Sequence, residues 1–327
     1  MKSQCYSKVE ERADGREYIM LYQLIQKPIH VLPFFSYTNR LIILHNFRFA
    51  NLIKRYGNTS FRFSDTHGEM MSLSIYAKYI TNPEGMLDDS PLGIYDSEFG
   101  DDLSSPISEL LKEYCVPECF SRDLFELIED YDEDNVIKSN GSEDDDANNP
   151  STNTRSPTRT RTARPPYRWI LIGPERSGTG IHVDPLWTNA WVTVLQGQKQ
   201  WLLFPPDTPY NSIGMIEGSP QIPSSIWFRD FYDVVTSPSW PKQYRPVEVL
   251  QNPGETVFVP AGWPHLVLNL ELTVAVTHNY ASEYGPHFDR MWEEVGRDEP
   301  DFAARWLAGL RKHGRDDLTA RCYGMRH

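Results

Sequence analysis

The chain has 327 residues, 39% of them hydrophobic, and a formal net charge of −13. That length buries a sizeable core, and no run approaches the ~20 apolar residues of a membrane-spanning helix. The acidic balance disfavours non-specific nucleic-acid binding, and 25 prolines among many aromatic residues favour short strands and turns.

The opening segment MKSQCYSKVEERADGREYIMLYQ is polar and charged, so it predicts no signal peptide. Residues 1–40 carry no clear pattern. Residues 41–56 predict a strand running into a short helix, and SFRFSD and MSLSIYAKYI alternate as strands do. SPLGIYDSEF (90–99) predicts another strand, and 106–128 has helical spacing interrupted by Pro117. The four cysteines, Cys5, Cys115, Cys119 and Cys322, read as reduced thiols of an intracellular protein. Cys115 and Cys119 lack a second Cys/His pair at finger spacing.

Residues 129–164 are acidic in the first half and basic in the second, STNTRSPTRTRTAR. Almost nothing there can be buried, which predicts a disordered surface insertion. The basic half reads either as a solvated loop or as a nuclear-import or nucleic-acid patch.

From 167 to 281 the pattern is densely β. YRWILIGP predicts a strand, GIHVDP a strand end, and NAWVTVLQGQKQWLLFPP a hairpin turning at Gln196-Gly197-Gln198. After a looser stretch, 207–246, four short strands follow, with turns at Pro253-Gly254, Ala261-Gly262 and Glu271. Such closely spaced strands predict a jelly roll. The tail, 286–313, predicts helix: Phe288, Met291, Trp292 and Val295 form one stripe, and Phe302, Trp306, Leu307 and Leu310 another. Gly314 is placed to end it. The expected division is N-terminal α/β elements at 1–128, the insertion at 129–164, a jelly-roll core at 165–282 and a C-terminal helical region at 283–327.

The sharpest local signal is Gly180-Ile181-His182-Val183-Asp184. In a strand, residues i and i+2 face the same way, so His182 and Asp184 can take two corners of one metal. His265, just after the turn Pro260-Ala261-Gly262-Trp263-Pro264, is the candidate third ligand. Two histidines and one carboxylate leave open positions, as in non-haem Fe(II) oxygenases. A lone His-x-Asp is more often a hydrogen-bonded structural pair, and zinc suits the same ligand types, although structural zinc usually takes four ligands with cysteines. If the metal is iron with 2-oxoglutarate, the far carboxylate of that co-substrate needs a cation and a hydroxyl. Lys199, opening the apolar strand QWLLF, is a candidate for the first, or else a turn lysine facing solvent. Thr277 is a candidate for the second, or else an ordinary strand threonine; it shares strand parity with Thr273 and Ala275.

Taken together, RPPYRWILIGPERSGTGIHVDPLWTNAWVTVLQGQKQWLLFP, PGETVFVPAGWPHLVLNL and TVAVTHNYA closely resemble the Jumonji-C bifunctional arginine demethylase and lysyl hydroxylase family, once called the phosphatidylserine receptor family. The resemblance runs over roughly 41–310 outside the insertion and includes DDSPLGIYDSEFGDD, LLKEYCVPECF and SRDLFEL. It implies a mainly β fold with α elements, a double-stranded β-helix with C-terminal helices that pair two copies. It implies iron bound by His182, Asp184 and His265, 2-oxoglutarate held by Lys199 and Thr277 with Thr179 in the pocket, O2 as oxidant and ascorbate as reductant. It further implies a nuclear protein, with a cytoplasmic pool as a second location, that hydroxylates lysines of Lys/Arg-rich splicing or chromatin proteins or demethylates methylarginine. The family asparagine after the tryptophan of TNAWV is Val192 here. The family tyrosine in its SPLY segment is Gly93, with Tyr95, two residues on, placed to replace it. These departures leave open a catalytically weak scaffold, or an adaptor touching RNA through 151–164.

Overall fold

The computed structural model describes residues 29–31, 44–63, 69–97, 99, 105–128, 164–282 and 287–324. Four short strands come first: β1 (Ile29–Val31), β2 (Ser60–Arg62), β3 (Met70–Ser72) and β4 (Ile94–Asp96). Eight more form the core: β5 (Arg168–Gly173), β6 (Gly178–His182), β7 (Asn189–Gln196), β8 (Lys199–Leu203), β9 (Val247–Gln251), β10 (Thr256–Val259), β11 (His265–Asn269) and β12 (Thr273–Tyr280). The helices are α1 (Phe49–Tyr56), α2 (Leu73–Thr81), α3 (Pro83–Met86), α4 (Ser224–Thr236), α5 (Phe288–Asp298), α6 (Pro300–Lys312) and α7 (Asp316–Gly324).

The large sheet runs β1-β10-β7-β12-β5-β4 and the small sheet β6-β11-β8-β9, all antiparallel. From β5 to β12 the chain changes sheet at every connection except β8 to β9. This is the jelly-roll, double-stranded β-helix architecture expected from the sequence. Among the described residues no ladder joins the two sheets, so they form a sandwich and not a closed barrel.

The expected β7–β8 hairpin does not form. β7 pairs with β10 and β12, while β8 pairs with β11 and β9. At Gln196-Gly197-Gln198 the chain crosses between sheets, and Gly197 takes a φ of 75°, which glycine adopts without steric cost. A tight turn between two apolar runs looks the same in sequence whether the runs pair edge to edge or face each other across a sandwich.

Three layers surround the sheets. The outer face of the large sheet is covered by the N-terminal elements, where Phe47, Leu52, Tyr76 and Phe120 pack on Ile170, Trp191, Phe258 and Val276. Between the sheets lie Val192, Val194, Trp201, Val257 and Val267. The outer face of the small sheet is covered by α4, whose Trp227 packs on Leu202, Phe204 and Leu266. Trp227 is fully buried and its indole N–H donates to the Ile213 carbonyl, 2.7 Å away. Truncating it to alanine is expected to cost about 3–5 kcal/mol.

Two N-terminal strand expectations are corrected. Residues 44–46 are helical, and 41–43 lie outside the described residues. MSLSIYAKYI is strand only to Ser72 and then becomes α2. Ser72 caps that helix by accepting the Ile75 N–H, and Leu73, Tyr76, Ala77 and Ile80 supply a helical stripe. The stretch 106–128 is helical in short 3-10 turns, Pro106–Lys112, Glu118–Phe120 and Leu124–Glu126. The looser stretch hides α4.

Residues 129–163 of the expected insertion lie outside the described residues. Arg164, counted with it, is folded: it is buried in an ion pair with Asp123 at 2.6 Å. The C-terminal stripes turn inward, with Phe288, Met291, Phe302, Trp306 and Leu310 packing on Leu124, Phe125 and Ala281. The helix ends at Lys312 just before Gly314, whose φ is 69°, and α7 follows.

Candidate metal centre and its cavity

The small sheet sets two candidate ligands face to face. His182 ends β6, His265 begins β11, and the two are direct cross-strand partners. Their ring centroids lie 4.2 Å apart. Asp184 is beyond the end of β6, on the turn that follows. It reaches the same side as His182 through that turn, whereas strand alternation had been expected to place it. The Nε2 atoms of His182 and His265 lie 3.8 and 3.9 Å from the two Asp184 carboxylate oxygens. One ligand atom from each residue falls within 4.8 Å of the others, the single such group of His, Cys, Asp or Glu among the described residues. Cys115 and Cys119, exposed and half-buried, join no such group.

The remaining contacts aim these atoms. His182 Nδ1 is 2.8 Å from the Gly180 carbonyl and His265 Nδ1 is 2.9 Å from the Trp263 carbonyl. A carbonyl only accepts, so Nδ1 carries the hydrogen in both rings and each Nε2 offers its lone pair. Burial, with His182 alongside, pulls His265 down to about 4, which keeps it a neutral donor. The buried Asp184 Oδ2 has no hydrogen-bond partner. An orphaned buried carboxylate oxygen between two imidazole lone pairs fits a divalent cation, and this donor set fits Fe(II).

The centre opens on a cavity of roughly 640 Å³ between the sheets. Strand alternation chooses its walls: Ala190 and Val192 from β7, Lys199 and Trp201 from β8, His265 and Val267 from β11, Thr277 and Asn279 from β12. Thr179 and Tyr95 line it too. Lys199 is 4% exposed, and its Nζ donates to Asn269 Oδ1 at 2.8 Å. Among the described residues no carboxylate pairs with it, and burial pulls its amine down to about 7. Of the two readings of Lys199, the solvent-facing turn residue is therefore excluded. A buried ammonium with one amide partner calls for an anion.

Similarity to known proteins follows the same residues. Residues 169–280 match the family described as JmjC domain, hydroxylase. This chain carries a Jumonji-C domain. It is 37% identical over 265 residues to a bifunctional arginine demethylase and lysyl-hydroxylase of Caenorhabditis elegans, covering 79% of this chain and 57% of that protein. It is 35% identical over 239 residues to a lysine-specific demethylase of Arabidopsis thaliana, 71% of this chain and 21% of that one. A 2-oxoglutarate and iron-dependent oxygenase of Gallus gallus is 33% identical over 126 residues, 38% of this chain and 28% of that protein. The chain thus spans less than two thirds of the length of these relatives.

The departures from the Jumonji-C pattern take physical form. Val192 lies between Thr277 of β12 and Val257 of β10, an apolar wall where the family has an amide. Gly93 makes room: a Cβ there would sit 2.7 Å from the Tyr95 ring. Tyr95 itself donates from its hydroxyl to the Gly178 carbonyl at 2.6 Å, at the edge of the cavity.

Sequence reasoning missed Asn269 and Gln221. Asn269 is i+4 from His265 on β11, so its parity was readable, but its bond to Lys199 depends on the β8–β11 register. It also donates from Nδ2 to Ser177 Oγ at 2.8 Å, which fixes the amide. Gln221 reaches the cavity from the 207–223 loop and carried no signal. His278 is on the other face of β12, buried against Trp191 and 2.8 Å from the Tyr114 hydroxyl, away from the ligands.

Proposed function

We propose that this Jumonji-C protein is an Fe(II)- and 2-oxoglutarate-dependent oxygenase that hydroxylates protein side chains, lysine above all, with methylarginine demethylation as the variant outcome. The observation carrying the proposal is one cavity with three converging candidate metal ligands at one place and, at another, a buried lysine with no carboxylate partner among the described residues. Iron with 2-oxoglutarate and O2 supplies hydroxylation of a C–H bond coupled to release of succinate and CO2, and ascorbate keeps the metal reduced. Hydroxylation at an N-methyl carbon releases formaldehyde, which is the demethylase outcome.

The protein's own residues bind and orient. His182, Asp184 and His265 hold the metal on one side and leave the cavity side open. Lys199 takes the far carboxylate of the co-substrate, with the Thr277 hydroxyl and Tyr95 beside it and Thr179 on the wall. Val192 and Val267 keep water out of the space between. A net charge of −13 suits Lys/Arg-rich splicing or chromatin proteins as substrates, and the basic 151–164 segment is consistent with a nuclear location and with RNA contact. Pairing of two copies through the C-terminal helices belongs to the same proposal.

A second reading, a scaffold that turns over slowly, draws on Val192, since its side chain offers no hydrogen bond to 2-oxoglutarate. Succinate formation by the purified chain with Fe(II), 2-oxoglutarate and ascorbate separates the two. Succinate from wild type and none from His182→Ala establishes the oxygenase. None from iron-loaded wild type, even with Arg/Ser-rich lysine peptides, leaves the scaffold.

A further inference from the structure

We infer that Trp187 is a positioning residue for the metal centre, bracing the turn that carries Asp184 against the C-terminal helices. This rests on the metal-centre reading above. The Asp184 carboxylate makes no hydrogen bond among the described residues, and its Oδ2 is buried. Its place is therefore set by its backbone. That backbone is unusual: after Pro185, Leu186 and Trp187 both take left-handed conformations, with φ of 56° and 53°. Two consecutive non-glycine residues hold that conformation only where their surroundings enforce it.

The surroundings act from both sides. Inside, Thr188 donates twice to the Pro185 carbonyl, from its N–H at 3.2 Å and its hydroxyl at 2.9 Å. Its hydroxyl oxygen in turn accepts from Asn279 Nδ2 of β12 at 2.9 Å. Outside, the Leu186 and Trp187 side chains pack on the cluster formed by Phe288, Trp292 and Trp306. The Arg290 guanidinium of α5 lies 5.3 Å from the Trp187 ring centre, and the His287 ring 5.9 Å. The same indole covers Gly262, where a Cβ would come within 2.5 Å of it. Gly262 belongs to the turn that leads into His265. One ring thus touches the turn after one ligand, the turn before another, and α5. Proline 185 completes the link, since it lines the cavity itself.

The test is metal affinity of the full chain, measured with Co(II) as a redox-stable probe, for wild type, Trp187→Gly and Trp187→Phe. Glycine accepts the left-handed φ, so Trp187→Gly removes the ring without adding backbone strain. The expected result is Co(II) binding weakened roughly tenfold or more in Trp187→Gly, as for loss of other residues that support a ligand, and restored to within about threefold by Trp187→Phe. Equal Co(II) affinity in Trp187→Gly and wild type overturns the inference, as does a Trp187→Phe loss as large as that of Trp187→Gly. Should Trp187→Gly not fold, Arg290→Ala decides. Its side chain is 49% exposed, and Glu294, the buried carboxylate it pairs with at 2.6 Å, keeps Arg297 as a second partner, so the fold is expected to survive its removal. A several-fold weaker Kd in Arg290→Ala supports the brace, and an unchanged one overturns it. Absence of Co(II) binding by wild type overturns the metal reading itself, a different result from any of these.

Discussion

β11 joins two chemically opposite ends of one cavity. At its start, His265 meets His182 and Asp184, and each imidazole is fixed by a carbonyl on its far nitrogen. At its end, roughly 13 Å further along an extended strand, Asn269 holds Lys199 in apolar surroundings. The metal end gathers two imidazole lone pairs and a buried carboxylate oxygen. The lysine end buries a cation with no carboxylate beside it among the described residues. Each is costly alone, and a ligand carrying both a metal and a carboxylate relieves both.

The comparison breaks most sharply at the metal end. Asp184→Ala removes the sole anionic member of the proposed ligand set, and Co(II) affinity is expected to fall beyond the roughly 10–100-fold that losing a supporting residue costs. Calorimetric titration with Co(II) checks this, and an affinity within tenfold of wild type would mean that Asp184 is not a ligand. Lys199→Met acts at the other end only. 2-Oxoglutarate affinity of the metal-loaded chain is expected to drop about 10–100-fold, the worth of a charge-assisted hydrogen bond, with Co(II) affinity in the absence of co-substrate unchanged. Removing a buried ammonium that no carboxylate pairs among the described residues should also stabilise the ligand-free chain, by ~2 kcal/mol or more, and raise its melting temperature. A lower melting temperature would show that the Asn269 contact outweighs the cost of burying the amine.

The two ends were not equally legible. His182, Asp184 and His265 stood out because few residue types bind metals and because a Pro-Gly turn announced the third. From its own strand Lys199 was visible as a charge among apolar residues, with a solvent-facing turn as the alternative, and its co-substrate role came from the family resemblance. Its partner Asn269 was invisible, since that contact is set by register between β8 and β11, and the sequence suggested β8 paired with β7. The same ambiguity misplaced the hairpin: alternation fixes which side chains share a face but not which strand lies alongside. α2 was misread as strand because Met71, Leu73, Ile75 and Ala77 alternate, while Leu73, Tyr76, Ala77 and Ile80 also trace a helix. Burial of the second set decides it. The left-handed turn at Leu186 and Trp187 had no sequence signal, since neither residue favours it.

The lysine end also titrates. Lys199 is near 7 in the fold against an ordinary 10.5. The unfolded chain therefore binds the extra proton between those values, and this group's penalty on stability, full below about pH 7, fades as pH rises toward 10.5. Co-substrate binding runs the other way. Above pH 7 the dianion must recruit a proton to the amine, so affinity should fall by up to about tenfold per pH unit. Calorimetry at pH 8 in buffers of different ionisation enthalpy should show proton uptake in wild type and none in Lys199→Met. Equal heats in all buffers would mean the amine is already charged. A smaller effect is expected from Asn269→Leu, which leaves Lys199 in place without its amide. About tenfold weaker 2-oxoglutarate binding is expected from the lost amide contact, and an unchanged affinity would show that the ligand positions the lysine unaided.

The smallest effect sharpens the contrast most. Val192 faces the cavity on β7 between Thr277 and Val257, and its wall is apolar where the family places an amide. Val192→Asn adds about one carbon's difference in shape and one hydrogen-bonding group in reach of the same space. One added hydrogen bond is worth about 0.5–1.5 kcal/mol, so 2-oxoglutarate should bind roughly two- to tenfold more tightly, with a slight loss of melting temperature from burying the amide in the ligand-free chain. Succinate formation at low co-substrate concentration should rise with it. Tighter binding without faster succinate formation would show that this wall does not limit turnover. Weaker binding would mean that the cavity has been rebuilt around valine, with Tyr95 over Gly93 as the compensating change, and that this lysine end is shaped for its co-substrate by packing.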